Sequence, residues 1–166
     1  PGGDPFGSFE NDSDFDGGVD VKYGLTSSLT LDATYRTDFA QVEADQQQVN
    51  LTRFNLFFPE QRDFFIENAS TFSFGADSNV VPFFSRRIGL SSSGTPIPIV
   101  GGGRVTGQLG RYDLGFLAMK TERQDLLPSN NYFVGRVKRN LMTNSWLGAL
   151  LTNRNSTAEG DYNRVY

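Results

Sequence analysis

Residues 19–36 read VDVKYGLTSSLTLDATYR, and this stretch decides the fold. On both sides of Ser27-Ser28, apolar and polar residues alternate, so that one face carries Val, Tyr, Leu and Ala while the other carries charges and threonines. Alternation with a period of two is typical of a β-strand with one face in water. Two such runs joined by a two-residue turn predict an antiparallel hairpin.

The same pattern returns in the second half of the chain. Alternating runs cover residues 100–110, 114–121, 132–141, 144–154 and 161–166. Short turns, one of them expected at residues 111–113, alternate with longer polar loops. We therefore predict an all-β fold, an antiparallel up-and-down meander. Connections of unequal length at the two rims are typical of membrane β-barrels.

A long insertion separates these two sets of strands, and it interleaves phenylalanine doublets with charges. A helix is expected at residues 60–68, because Pro59 suits a first helical position. Exposed doublets would form a sticky patch and unpaired buried charges are costly, so we expect an inward, plug-like insertion at about residues 38–90. The doublets are Phe57 and Phe58, Phe64 and Phe65, and Phe83 and Phe84, and the charges are Glu43, Asp45, Arg53, Glu60, Arg62, Glu67, Arg86 and Arg87.

We interpret the 166 residues as one partial β-barrel domain. It divides into an acidic, glycine-rich lead-in at 1–18, a first hairpin at 19–37, the insertion and its connector at 38–99, and further hairpins at 100–166. The chain starts without methionine and stops within a strand pattern, so we expect an excerpt of a longer protein.

Composition excludes several classes of function. A net charge of −4 without a basic cluster argues against a nucleic-acid partner. The absence of cysteine and histidine removes thiolate and imidazole metal ligands, and no cofactor is expected. The sequence contains no run of about 18 apolar residues, so it predicts no transmembrane helix. A transmembrane β-barrel remains compatible, because its strands need only about 10 alternating residues.

The lead-in contains one weak calcium candidate. Asp12, Asp14 and Asp16 precede Gly17, as in the first half of a calcium-binding loop. The twelfth position of such a loop is a bidentate glutamate, whereas this chain has Tyr23 there. We therefore favour a solvated acidic loop over a metal site.

The charges of the insertion have two interpretations. As a charge network in the lumen of a barrel, they would select permeating solutes through their electric field. As buried salt bridges they would fix the inserted segment, and we favour this structural role. Two further alternatives stay open: a glycan-acting enzyme with paired carboxylates among Glu43, Glu60 and Glu67, and a soluble β-sandwich used for binding. We predict no enzymatic activity and no catalytic residues.

Several runs, among them VNLTRFNLFFPEQRDFFIENA, FFSRRIG, PIPIVGGGRVTGQLG, FVGRVKR and TNRNS, carry a family resemblance. The chain resembles bacterial outer-membrane β-barrel domains of unknown function that commonly follow a carbohydrate-binding family-nine-like module. This resemblance implies the N-terminal part of a larger transmembrane barrel, located in the bacterial outer membrane with the lipid bilayer as its partner. It also implies solute passage, or surface glycan-related uptake or assembly, with a glycan or small solute as ligand, and it supplies no reaction.

Overall fold

The computed structural model describes residues 18–36, 60–73, 81–91, 97–124, 127–142, 145–158 and 161–166. Several residues named above lie outside these ranges. They are the calcium candidates Asp12, Asp14 and Asp16, the charged residues Glu43, Asp45 and Arg53, and the two rings of the first doublet, Phe57 and Phe58.

Seven strands dominate the described residues. They are β1 Val19–Thr26, β2 Leu29–Tyr35, β3 Ile99–Leu109, β4 Tyr112–Thr121, β5 Asn130–Met142, β6 Ser145–Ser156 and β7 Tyr162–Val165. Between β2 and β3 the described residues form three short helical pieces: α1 Asp63–Ile66 and two 3₁₀ turns, Ala69–Phe72 and Ser85–Arg87. None of the helices in the described ranges is long and apolar enough to cross a membrane.

The strands form one antiparallel sheet in the order β1-β2-β3-β4-β5-β6-β7, which confirms the predicted all-β meander. Each strand pairs with its neighbour in the chain, as in β1 and β2, where Val21 faces Ala33. The described strands thus make a single open sheet rather than the two facing sheets of a sandwich.

Two local features differ from the sequence prediction. The turn expected at residues 111–113 lies one position earlier, because Gly110 takes a left-handed conformation with φ 61° and Tyr112 already belongs to β4. The helix expected at 60–68 is limited to α1, and a 3₁₀ turn follows. Asn68 has φ 60°, a left-handed conformation that interrupts a right-handed helix.

The two faces of the sheet differ in chemistry. One face, here called the apolar face, carries a row across five strand pairs that contains only apolar side chains and glycine: Tyr23, Leu31, Val105, Phe116, Gly135 and Leu151. The next row toward the short turns is similar: Leu29, Gly107, Leu114, Val137 and Ala149. Tyr23 is 63% exposed and Phe116 is 37% exposed, so this face is uncovered.

The opposite face carries the core. Residues 60–73 and 81–91, here called the docked segment, lie on it, and we call it the docked face. Phe65, Phe72 and Ile88 of this segment are buried against the sheet. Burial of each such side chain contributes about 1.5–3 kcal/mol, so this contact is a real core. The sheet supplies Ile99, Leu117, Met119, Val134 and Leu150.

Candidate functional site

A row of charges crosses the docked face at one edge of the core. Lys22 lies opposite Asp32 in the β1–β2 pairing, and Asp32 lies opposite Arg104 in the β2–β3 pairing. Directly opposed residues on one face of a sheet have side chains within contact distance. Further along the same row come Leu117 and Val134, so the row changes from charged to apolar where the core begins.

Arg104 joins this row to the docked segment. Its side chain is only 2% exposed. Its Nη2 donates to Asp32 Oδ2 at 2.7 Å and its Nε donates to the same oxygen at 3.1 Å. Its Nη1 donates to the carbonyl oxygens of Phe64 and Glu67. One buried guanidinium therefore binds the sheet with one edge and the backbone of the docked segment with another.

Glu67 completes the network from the docked segment. One of its oxygens accepts from Lys22, and the other accepts from Arg104 Nη2 at 3.2 Å. The hydrogen bond from Lys22 holds the pKa of Glu67 below the ordinary glutamate value, against a smaller opposing effect of desolvation. The carboxyl is half exposed, so it is both a link in the network and a charge that solvent can reach.

A second ion pair lies within the docked segment itself. Arg62 donates from Nε and Nη2 to the two oxygens of Glu60, each at 2.8 Å, which is a bidentate pair. Arg62 also donates to the carbonyl oxygens of Ile88 at 2.7 Å and Ser85 at 2.9 Å. The Ser85 hydroxyl donates to Glu60 at 2.7 Å. These bonds tie residues 60–62 to residues 85–88.

Opposing effects act on the pKa of Glu60. Burial acts to raise the pKa of Glu60, but the hydrogen bonds from Arg62 and Ser85 together outweigh it and lower that pKa. A glycosidase acid needs a raised pKa so that it holds a proton near neutral pH. Both Glu60 and Glu67 are ion-paired with lowered pKa values, which disfavours either of them as a general acid. The third glutamate of the enzyme interpretation, Glu43, lies outside the described residues.

The structure brings together part of the predicted set of charges and rings. Phe64 and Phe65 pack edge to face at 5.2 Å, and the guanidinium of Arg104 lies 4.9 Å from the centre of the Phe64 ring. Arg86 is buried, whereas Arg87 is exposed. The two neighbouring arginines are therefore not equivalent members of one charge cluster.

Two rings of the predicted aromatic plug, Phe83 and Phe84, are neighbours in the docked segment. Both are partly buried, and Phe83 packs against the core. Phe84 has an extended backbone, φ −133°, and its carbonyl oxygen accepts from the N–H of Arg87 at 3.1 Å, which closes the second 3₁₀ turn. Extended backbone turns neighbouring side chains in different directions, so the two rings point away from each other. Phe58, like Phe57, lies outside the described residues, and its part in a plug stays a prediction.

Sequence reasoning missed the residue at the centre of the network. Alternation assigns Arg104 to the polar face of its strand and predicts no partner for it. No turn gives a signal for its pairing with Asp32, because β2 and β3 are joined by the long insertion and turn geometry fixes the register only within a hairpin. Its bonds to Phe64 and Glu67 carry no such signal, because they join segments 37–40 positions apart along the chain.

A polar cleft of about 520 Å³ lies beside this network, between the docked segment and the sheet. It lies toward the end of the sheet where β3 and β4 are joined by a short turn. Its lining comes from the sheet (Ser28, Thr30, Thr106, Gly107, Gln108, Asp113, Arg136 and Lys138) and from the docked segment (Asn68, Ser70 and Thr71). Within the described ranges no group of carboxylates is arranged to hold a metal ion.

Fold and network together define an all-β meander protein whose sheet carries a charged insertion on one face. The chain belongs to the family described as Domain of unknown function (DUF5916), whose model matches residues 6–100, more than half of the chain. The matched part contains β1, β2 and the docked segment. No curated protein and no solved structure matches the chain at a significant level.

Proposed function

We propose that this chain forms part of the wall of an outer-membrane β-barrel, and that the docked segment narrows a lumen through which a small solute passes. The observation that carries the proposal is the pair of apolar rows on the uncovered face. A surface of this extent, made of apolar side chains and glycine across six strands, fits acyl chains better than water.

Strand length supports the same assignment. Strands β3, β4, β5 and β6 have 11, 10, 13 and 12 residues, about twice the average strand of globular proteins. At about 3.3 Å per residue, 11 residues span roughly 36 Å, and a tilt of about 45° reduces the height to roughly 25 Å. This height equals that of the apolar band in known outer-membrane barrels.

Aromatic residues near the strand ends also fit a membrane interface. Tyr112 lies on the apolar face at the end with the short turns, and the cation of Arg139 lies 5.4 Å from its ring centre. Tyr162 lies at the other end, beside Arg164 at 5.0 Å. Amphipathic rings paired with cations are typical of the two girdles of a membrane barrel.

The docked face supports a role in passage. It carries charges, and the docked segment covers its core. In a closed barrel a segment placed there would reduce the cross-section of the lumen and would present Glu67, whose carboxyl is half exposed, to permeating ions. A charge that lines a constriction sets the preference for cations or anions.

Conductance across planar lipid bilayers tests this function. The full-length protein is expected to give stepwise currents. Replacing Glu67 with Gln removes one negative charge from the constriction, so the permeability ratio should shift toward anions. Glu122→Gln is the matched control, because Glu122 is exposed in the connection after β4. Absence of steps, or identical selectivity in both variants, would reject the passage function.

A further inference from the structure

The polar cleft has an unbalanced set of charges. Two cations, Arg136 and Lys138, line it together with one carboxylate, Asp113. Asp113 is already engaged, because it accepts hydrogen bonds from Gln108 Nε2 at 3.1 Å and Asn140 Nδ2 at 3.3 Å, and Lys138 lies 3.7 Å away. The single carboxylate among the described lining residues is thus already engaged, and positive charge remains.

Arg136 is the source of this remaining charge. Its Nη1 donates to the carbonyl oxygen of Thr71 at 2.8 Å, and this is a neutral partner. Its Nε is buried without a hydrogen-bond partner. Among the described residues no carboxylate pairs with it. A guanidinium at the border of a cleft whose positive charge is not compensated attracts an oxyanion, because its planar fork matches the geometry of carboxylate and phosphate.

The rest of the lining suits a hydroxylated molecule. Ser28, Thr30, Ser70, Thr71 and Thr106 supply hydroxyl groups, each of which can donate and accept. The described lining residues include no aromatic and no large aliphatic side chain. Since apolar contact supplies most of the affinity of a tight small-molecule site, a polar lining of this kind predicts weak, rapidly reversible binding. A permeating solute needs such a site, which it can both enter and leave.

We propose that this cleft binds a small polyhydroxylated solute that carries one oxyanion group. Arg136 and Lys138 bind the anion, and the hydroxyl groups of the two walls bind those of the solute. The carboxylate of a polyol acid and the phosphate of a polyol phosphate share this chemistry. This proposal names the class of solute that passes through the proposed lumen. The role of the cleft in passage therefore rests on the proposed function.

Isothermal titration calorimetry on the full-length protein in detergent micelles tests the ligand class with a matched set of solutes. Gluconate and glycerol phosphate each carry hydroxyls and one oxyanion group. Sorbitol removes the charge of gluconate, and hexanoate removes its hydroxyls. Gluconate or glycerol phosphate should bind at least about tenfold more tightly than sorbitol and hexanoate, because loss of one charge-assisted contact weakens binding by about this factor. If only one of gluconate and glycerol phosphate binds, the result identifies the oxyanion group of the ligand as a carboxylate or as a phosphate. Equal binding of all four, or of none, would overturn the proposal.

Variants then locate the site. Arg136→Gln should weaken binding of the preferred anion by about tenfold to a hundredfold. Arg139→Gln is the control, because Arg139 lies on the same strand and points to the apolar face. If the circular dichroism spectrum shows that Arg136→Gln does not fold like the parent, Lys138→Gln tests the site instead. Its affinity for the preferred anion is expected to be about tenfold weaker. Unchanged affinity in the folded variant places the ligand elsewhere and rejects the cleft.

Conductance distinguishes this inference from the function on which it rests. Stepwise currents without gluconate or glycerol phosphate binding would leave passage in place and reject the ligand class. Binding that depends on Arg136, without currents, would reject passage and keep the cleft as a binding site.

Discussion

Arg104 shows how one residue connects the sheet to the docked segment. Its guanidinium is almost fully enclosed and bonds a carboxylate of the sheet and two carbonyl oxygens of the docked segment. A buried cation is tolerable only when its donors are satisfied and its charge is compensated. The contact is therefore sensitive to the loss of either partner.

We expect Arg104→Met to destabilise the protein by about 3–5 kcal/mol, because it leaves Asp32 buried beside a partner that no longer carries charge. The measurement is the free energy of unfolding in urea, followed by the fluorescence of Trp146, the single tryptophan of the chain.

Arg111→Met serves as the control for this substitution, because Arg111 is exposed in the turn between β3 and β4. Its expected cost is below about 0.5 kcal/mol. Equal costs for the two variants would mean that the Arg104 network contributes no stability.

The ion pairs of Glu60 and Glu67 predict a dependence of stability on pH. Both pKa values are lowered in the folded protein from the ordinary value of 4.5. Between the folded and unfolded pKa values the unfolded chain binds more protons, so stability rises with pH in that interval. The contribution is complete above pH 4.5 and is lost as the pH falls through the folded pKa values.

Urea unfolding between about pH 3 and pH 6 should show this loss of stability toward acid. In Glu60→Gln the slope of the free energy of unfolding against pH should be smaller, because one of the two shifted groups is absent. An unchanged slope would show that the pair with Arg62 does not shift the pKa of Glu60.

At the level of elements, the docked segment rests closely on strand β4. A Cβ atom built on Gly115 would lie 2.6 Å from Thr71 Cγ2 and 3.2 Å from Phe72 Cε1. The first distance is shorter than van der Waals contact allows. Only glycine at this position lets the 3₁₀ turn at Ala69–Phe72 lie against the strand.

Gly115→Ala is expected to push the docked segment away from β4 and to cost about 1–3 kcal/mol. Limited trypsin digestion measures the displacement, since Arg87 is exposed in the docked segment and cleavage there should become faster.

Gly135→Ala is the matched control on the neighbouring strand. Gly135 belongs to the apolar face, and its Cβ would meet its nearest atoms at 3.5 Å, an ordinary contact. This variant should keep the parental digestion rate. If both variants behave alike, the close approach at Gly115 does not hold the segment.

At the level of the whole molecule, the sheet separates two environments. One face carries the docked segment and the network of Arg104, while the other is an uncovered surface whose central rows are apolar. The proposed location in a bilayer predicts that the cost of a charge on the apolar face depends on its position along the strand.

We expect Phe116→Arg to weaken folding into lipid vesicles by about 2–4 kcal/mol, because Phe116 lies in the apolar row near the middle of β4. The fraction folded is measured by the mobility shift between heated and unheated samples in gel electrophoresis, as a function of urea.

Leu109→Arg provides the comparison at the rim, since Leu109 is the last residue of β3 and is 56% exposed. A charge near the interface costs about 0–1 kcal/mol. Equal effects of the two substitutions, or folding of the parent protein without lipid or detergent, would contradict the membrane location.

The sequence allowed most of the sheet to be predicted, but only part of the site. Alternation located every strand from β1 to β7 to within a few residues, and it assigned Phe116 and Leu117 to opposite faces. The position of the turn before Tyr112 was missed, because the left-handed preference of Gly110 was not used. The cleft around Arg136 was not predicted, because its lining comes from separate parts of the chain.

The sequence by itself determined the strands, their two faces and the hairpins, because a period of two is a local property and short turns force the runs that they join to pair. Only the tertiary structure decided which partners the charges have and where the docked segment lies. Arg104 meets Glu67, and Thr71 meets Gly115, across long separations in sequence. Such contacts depend on register, close packing and compensation of buried charge, which come into being only when the chain is folded.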